Sequence, residues 1–73
     1  MEKKLFLKEL SSIFDKKKVD EKDNLINLGL DSIKVLELIA FKESKFKSIK
    51  INPSEYMKCK SISDLLKIFK IKN

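Results

Sequence analysis

Only one glycine, Gly29, and one proline, Pro53, interrupt this 73-residue chain, in which 38% of residues are charged. A turn-rich sheet protein needs such breakers at many reversals, whereas helices joined by a few loops need almost none. The apolar residues repeat to match. Phe6, Leu10, Ile13 and Phe14 recur at i, i+4, i+7 and i+8, with Leu5 and Leu7 widening the stripe, and they predict an amphipathic helix over about residues 2 to 14. A second helix starts with Asp31 as N-cap and Ser32 as its first residue, Leu30 and Val35 forming a hydrophobic staple. A short third helix has Asn52 as N-cap, Pro53 at the first position, Glu55 at the capping-box position, Ile51 with Tyr56 as a staple, and an end near Lys58. In the fourth, Ser61 and Asp64 form a capping box ahead of Ile62, Leu65, Leu66 and Phe69.

Four helices with a long first connection and no repeat or linker describe one small domain spanning 1–73. Such a domain buries only about 60% of the surface its unfolded chain exposes, which leaves little room for an enclosed active site. The connection from Asp15 to Leu30 has a charged half followed by "NLINLGL", whose Leu25, Ile26 and Leu28 are expected to find cover. No apolar stretch reaches the roughly 20 residues of a membrane span. The first residues, "MEKKLFLKEL", lack a continuous apolar run or a small-residue cleavage site, so a cytoplasmic location is expected.

The residue types exclude most catalytic chemistry. With no histidine and the single cysteine Cys59, the chain cannot build a disulfide framework, a Cys-His pair or an ordinary zinc site. Cys59 lies between Lys58 and Lys60 and is read as having a packing or incidental role rather than a reactive one. The net charge of +6 points towards anionic partners, but every basic residue is a lysine, and without arginine the chain lacks the commonest bidentate contact to guanine. Sequence-specific nucleic-acid binding is therefore not expected. A small basic helical domain binding nucleic acid or a protein partner, with Ser32 as an ordinary helix-start residue, is the alternative reading.

Ser32 is the chemically suggestive hydroxyl. As the first residue of a helix it projects at the positive end of the helix dipole, where amides without intrahelical partners favour an anion such as a phosphate ester. The motif "LGLDSIKVLELI", the long loop before it, the short third helix and the "SISDLLKIF" opening of the last helix together resemble the acyl and peptidyl carrier proteins over nearly the whole chain. The resemblance implies an all-α, four-helix bundle of the acyl carrier protein type. It further implies that 4′-phosphopantetheine, taken from coenzyme A, is attached to Ser32 with Asp31 as motif partner and helix cap, and that the protein itself has no catalytic residues. The implied partners are a phosphopantetheinyl transferase, an acyl- or aminoacyl-loading enzyme and a downstream synthase or transferase, with the carrier expected to be a stand-alone monomer.

The resemblance also has departures. Carriers of fatty acid synthesis are strongly acidic, whereas this chain is basic and has Lys34 two residues after the serine. "LGLDSI" is closer to carriers of polyketide or nonribosomal peptide assembly than to the "ADSLD" pattern of fatty acid synthesis, and D-alanyl carriers remain in view. The basic tract containing Lys42, Lys45, Lys47 and Lys50 is expected to face neutral or acidic partner surfaces. On the second helix, Val35, Leu38, Ile39 and Phe46 fall on one side at about 100° per residue. Ile33, Leu36 and Ala40 form a second stripe roughly opposite, flanked by Glu37. That stripe is expected to stay exposed beside Ser32 as a docking face.

Overall fold

The computed structural model describes residues 1–72, and its helices follow the order α1 Lys3–Ile13, α2 Ser32–Lys45, α3 Pro53–Lys58 and α4 Ile62–Ile68. This is the all-α arrangement expected for the acyl carrier protein type, and among the described residues the only β pairing is an isolated bridge between Asn24 and Ser61. Each helix turns its predicted stripe inward: Phe6 and Leu10, Val35 and Leu38, Tyr56, and then Ile62, Leu65 and Leu66 are buried, as is Phe69 just after α4. Phenylalanine rings hold these faces together. Phe6 stacks at 5.1 Å from Phe69 and 6.0 Å from Phe46, Phe41 joins all three, and Tyr56 meets Phe69 edge-on at 6.1 Å. Tilted and edge-on ring pairs of this kind add about 0.5–1.5 kcal/mol each beyond their burial.

The helix ends explain how the long connection is shaped. After α1 the Lys16 amide donates to the Ser11 carbonyl at 2.8 Å and the Asp15 amide to Ser12 at 3.2 Å, a Schellman turn that needs left-handed backbone at Asp15 (φ 56°). Further on, Asn24 Oδ1 accepts the Ile26 amide at 2.8 Å and starts a single turn. Gly29 ends it at φ 92°, with the Leu30 amide donating to Leu25 at 2.9 Å. Between these points the loop is zipped to the start of α4. The Ile62 and Ser63 amides, which a helix N-terminus leaves without partners, donate to the carbonyls of Asp23 at 3.0 Å and Glu21 at 2.9 Å.

Cover for the loop's apolar residues is divided. Leu25 is fully buried and Leu28 packs against the core, but Ile26 is 78% exposed, contrary to the expectation that all three are covered. The turn points Leu25 inward, and Ile26, the next residue, therefore faces out.

Gly29→Ala is expected to lower stability by about 1–2 kcal/mol, through left-handed backbone alone, since a methyl there meets no atom within 4 Å. Lys70, at φ 57° in the turn that ends α4, tests the converse. Lys70→Gly is expected to raise stability by up to about 1 kcal/mol. Urea unfolding of both variants measures the two shifts.

Candidate functional site

At the start of α2, Asp31 is extended (φ −147°, ψ −173°) and its Oδ1 accepts the Lys34 amide at 2.9 Å, the N-cap geometry expected from the sequence. Leu30 packs against the core that Val35 enters, as a staple requires. Ser32 is exposed and is the first residue of a 14-residue helix, whose first-turn amides lack intrahelical partners. Of the other exposed serines, Ser12 and Ser44 lie in the last turns of their helices, Ser48 follows α2, and Ser54 belongs to the six-residue α3. Only Ser32 opens a long helix.

Ser32 also stands at the edge of an apolar groove of about 470 Å³ between α2 and α3, lined by Val35, Leu36, Ile39, Pro53, Ser54 and Met57. The two stripes of α2 separate as the helical period requires: Val35 and Leu38 are buried and Ile39 half-buried, whereas Ile33 and Leu36 are each 65% exposed and Glu37 and Ala40 are exposed as well. The α3 contribution was missed in the sequence. Its signal was present, because Tyr56 pointing inward leaves the next residue, Met57, outside, where it is 61% exposed.

The electrostatics around Ser32 differ from a plain reading of the charges. Lys34 Nζ donates to the Ile13 carbonyl at 2.7 Å and to Asp15 at 3.1 Å, and pairs with Glu37 at 3.1 Å. These hydrogen bonds, Glu37's first and then Asp15's, hold its ammonium pKa above the usual lysine value. The lysine that set this chain apart from acidic carriers is thus an internal clamp between α2 and the end of α1. Lys42 is also not free surface. It is only 8% exposed and its Nζ lies 3.6 Å from Glu43, so of that basic tract only Lys45, Lys47 and Lys50 are exposed. On the helical wheel Lys42 falls between Val35 and Leu38, and its stem must cross the buried face before the ammonium reaches water.

Among the described residues no cluster of histidine, cysteine and carboxylate side chains could hold a metal ion. Cys59 is buried with its Sγ 3.3 Å from the Glu55 carbonyl, the packing role expected of it. Burial pushes its thiol up to about 11, and burial likewise pushes Tyr56, whose buried hydroxyl finds no hydrogen-bond partner among the described residues, up to about 12. Both groups keep protons in the folded state that the unfolded chain releases from about pH 9 and 10, so their stabilising effect is complete below those values and is lost as pH rises through 11 and 12. Urea midpoints are expected to fall over this alkaline range. The fall should be shallower in the Cys59→Ala, Tyr56→Phe double variant, and iodoacetamide should leave Cys59 of the folded protein unmodified at pH 8.

A family model described as a phosphopantetheine attachment site matches residues 5–69. The chain belongs to that family. Neither the curated proteins nor the solved structures gave a match. Membership establishes a carrier domain that is the attachment site for the 4′-phosphopantetheine prosthetic group and holds acyl groups linked to it, in a family whose domains are generally non-catalytic and work with transferases and synthases. No helix of the described residues is long and apolar enough to cross a membrane.

Proposed function

We propose that Ser32 is the residue that carries the 4′-phosphopantetheine and that this domain presents acyl or aminoacyl groups to partner enzymes of a specialised pathway, of the polyketide or nonribosomal peptide kind, rather than housekeeping fatty acid synthesis. The observation that carries the assignment is the exposed hydroxyl at the first position of α2, inside the matched region and at the mouth of an apolar groove. Attachment needs a reachable oxygen and a setting that tolerates a phosphate, and Ser32 has both: solvent on its side chain and first-turn amides at the positive end of α2. Asp31 holds that turn through its bond to the Lys34 amide, and Lys34 braces it against the end of α1. The group itself supplies a terminal thiol on which cargo travels as a thioester.

The chain's own residues divide the remaining work. Ile33, Leu36 and Ala40, with Glu37 at their flank, form an exposed face beside Ser32 on which a phosphopantetheinyl transferase, a loading enzyme and a downstream synthase would dock in turn. The groove between α2 and α3 lies next to that face and contains no charged side chain. One cytoplasmic, monomeric carrier unit spanning 1–73 accounts for these features.

The direct test incubates the apo-protein with coenzyme A and a broad-specificity phosphopantetheinyl transferase. Intact mass is expected to rise by one phosphopantetheine, and fragmentation to place it on Ser32. Placement on Ser12, Ser44, Ser48 or Ser54, or no addition with several transferases, removes the assignment.

A further inference from the structure

On α1 and in the turn that follows it, five lysines have no carboxylate within ion-pair distance among the described residues. The ion pairs among the described residues engage Lys3, Lys34 and Lys42, and leave Lys4, Lys8, Lys16, Lys17 and Lys18 unpaired. These five gather round two adjoining depressions on the outer surface of α1, of about 430 and 250 Å³, which share Lys8, Ser11 and Lys17 in their lining. Glu9 is the only carboxylate lining either one. Asp15, next to the lysine run in sequence, is turned away into its pair with Lys34. Lys34 reaches the end of α1 from a position about 160° round α2 from Leu36, which separates the lysine patch from the apolar stripe.

We propose that this patch is a second docking surface, which takes the acidic surface of a partner protein. The proposal rests on the carrier reading, because a domain handed between enzymes gains from long-range attraction that leaves Ser32 unobstructed. The chemistry of the patch favours protein over the other polyanions. Nucleic acid is read by arginine and by stacking on exposed aromatic rings, and here there is no arginine while all five phenylalanines and Tyr56 lie in or against the core. A membrane-surface helix needs an apolar stripe to insert, and α1 has turned Phe6 and Leu10 into the core, leaving Leu5 at 45% exposure beside the lysines.

The test titrates the ¹⁵N-labelled full chain with an octaglutamate peptide. Amide shifts are expected from Lys4 to Lys18 and little change at Ser32. The Lys8→Glu, Lys17→Glu double variant, or the matching glutamine pair should the first misfold, should weaken binding about tenfold, whereas Lys45→Glu, Lys47→Glu leaves it within about twofold. Shifts spread equally over Lys45, Lys47, Lys58 and Lys60 overturn the proposal. So does tighter binding of the patch to phosphatidylglycerol vesicles or duplex DNA than to octaglutamate at the same salt. Phosphopantetheine addition is measured on the same samples. Complete addition to Ser32 without peptide binding at the patch overturns the patch alone, and peptide binding without addition overturns the carrier reading alone.

Discussion

Replacing Ser32 by alanine is expected to abolish phosphopantetheine addition while changing stability by no more than about 0.5 kcal/mol. The first half follows from chemistry, since alanine has no oxygen to bond to phosphorus and no other exposed serine opens a long helix. The second half follows from the local structure. Asp31 rather than Ser32 caps α2, accepting the Lys34 amide, and alanine, with high intrinsic helix propensity, is well tolerated at an exposed helical position. Asp31→Ala provides the contrast: it removes the cap, and is expected to cost about 1 kcal/mol and to leave the hydroxyl in place on a frayed turn. Intact mass and thermal unfolding of the three proteins separate the roles. A Ser32→Ala protein that still gains the group, or that melts like Asp31→Ala, would show that the hydroxyl serves the helix rather than attachment.

Helix boundaries and the position of Ser32 were legible in the sequence because each depends on residues close together in the chain. Asp31, Asn52 and Ser61 start helices through side chains and backbone only three residues apart, and the 3.6-residue period sorts the core faces without knowledge of their partners. Even the end of α1 was placed to within a residue, although its terminator is Asp15 in a left-handed turn rather than the glycine that usually marks one. What the sequence concealed depends on long-range packing. Ile26 is left exposed because Leu25 docks against the α3–α4 turn, 35 residues later, with its amide bonded to the Lys60 carbonyl. Phe41 sits at the border of the α2 core face and enters the ring cluster only because Phe6 and Phe69 are there to meet it. Lys34 reads as a free charge until the end of α1 arrives 21 residues away in sequence to accept its hydrogen bond. The α3 side of the groove beside Ser32 was hidden for the same reason, since no local pattern says which helix will lie against α2.

The two stripes of α2 lead to the other large expected effect. Leu38 is fully buried among the core side chains, so Leu38→Ala should cost about 2–5 kcal/mol through lost transfer energy and the cavity left behind. Leu36, two residues earlier and 65% exposed, has almost none of that burial to lose, and Leu36→Glu should shift stability by no more than about 0.5 kcal/mol. Function should reverse the order. An exposed leucine at the edge of an apolar groove and beside the attachment serine is suited to entering a partner's pocket, and a carboxylate in its place would be desolvated without a counter-charge. Transfer from a loading enzyme to phosphopantetheine-bearing Leu36→Glu protein should therefore fall about tenfold or more, equivalent to about 1.4 kcal/mol. The Leu38→Ala protein, assayed well below its unfolding midpoint, should load within about threefold of the parent, because its exposed face is unchanged. Thermal unfolding and loading kinetics on the pair decide the matter: a Leu36→Glu protein that loads normally removes the docking face, and one that unfolds as readily as Leu38→Ala places Leu36 in the core.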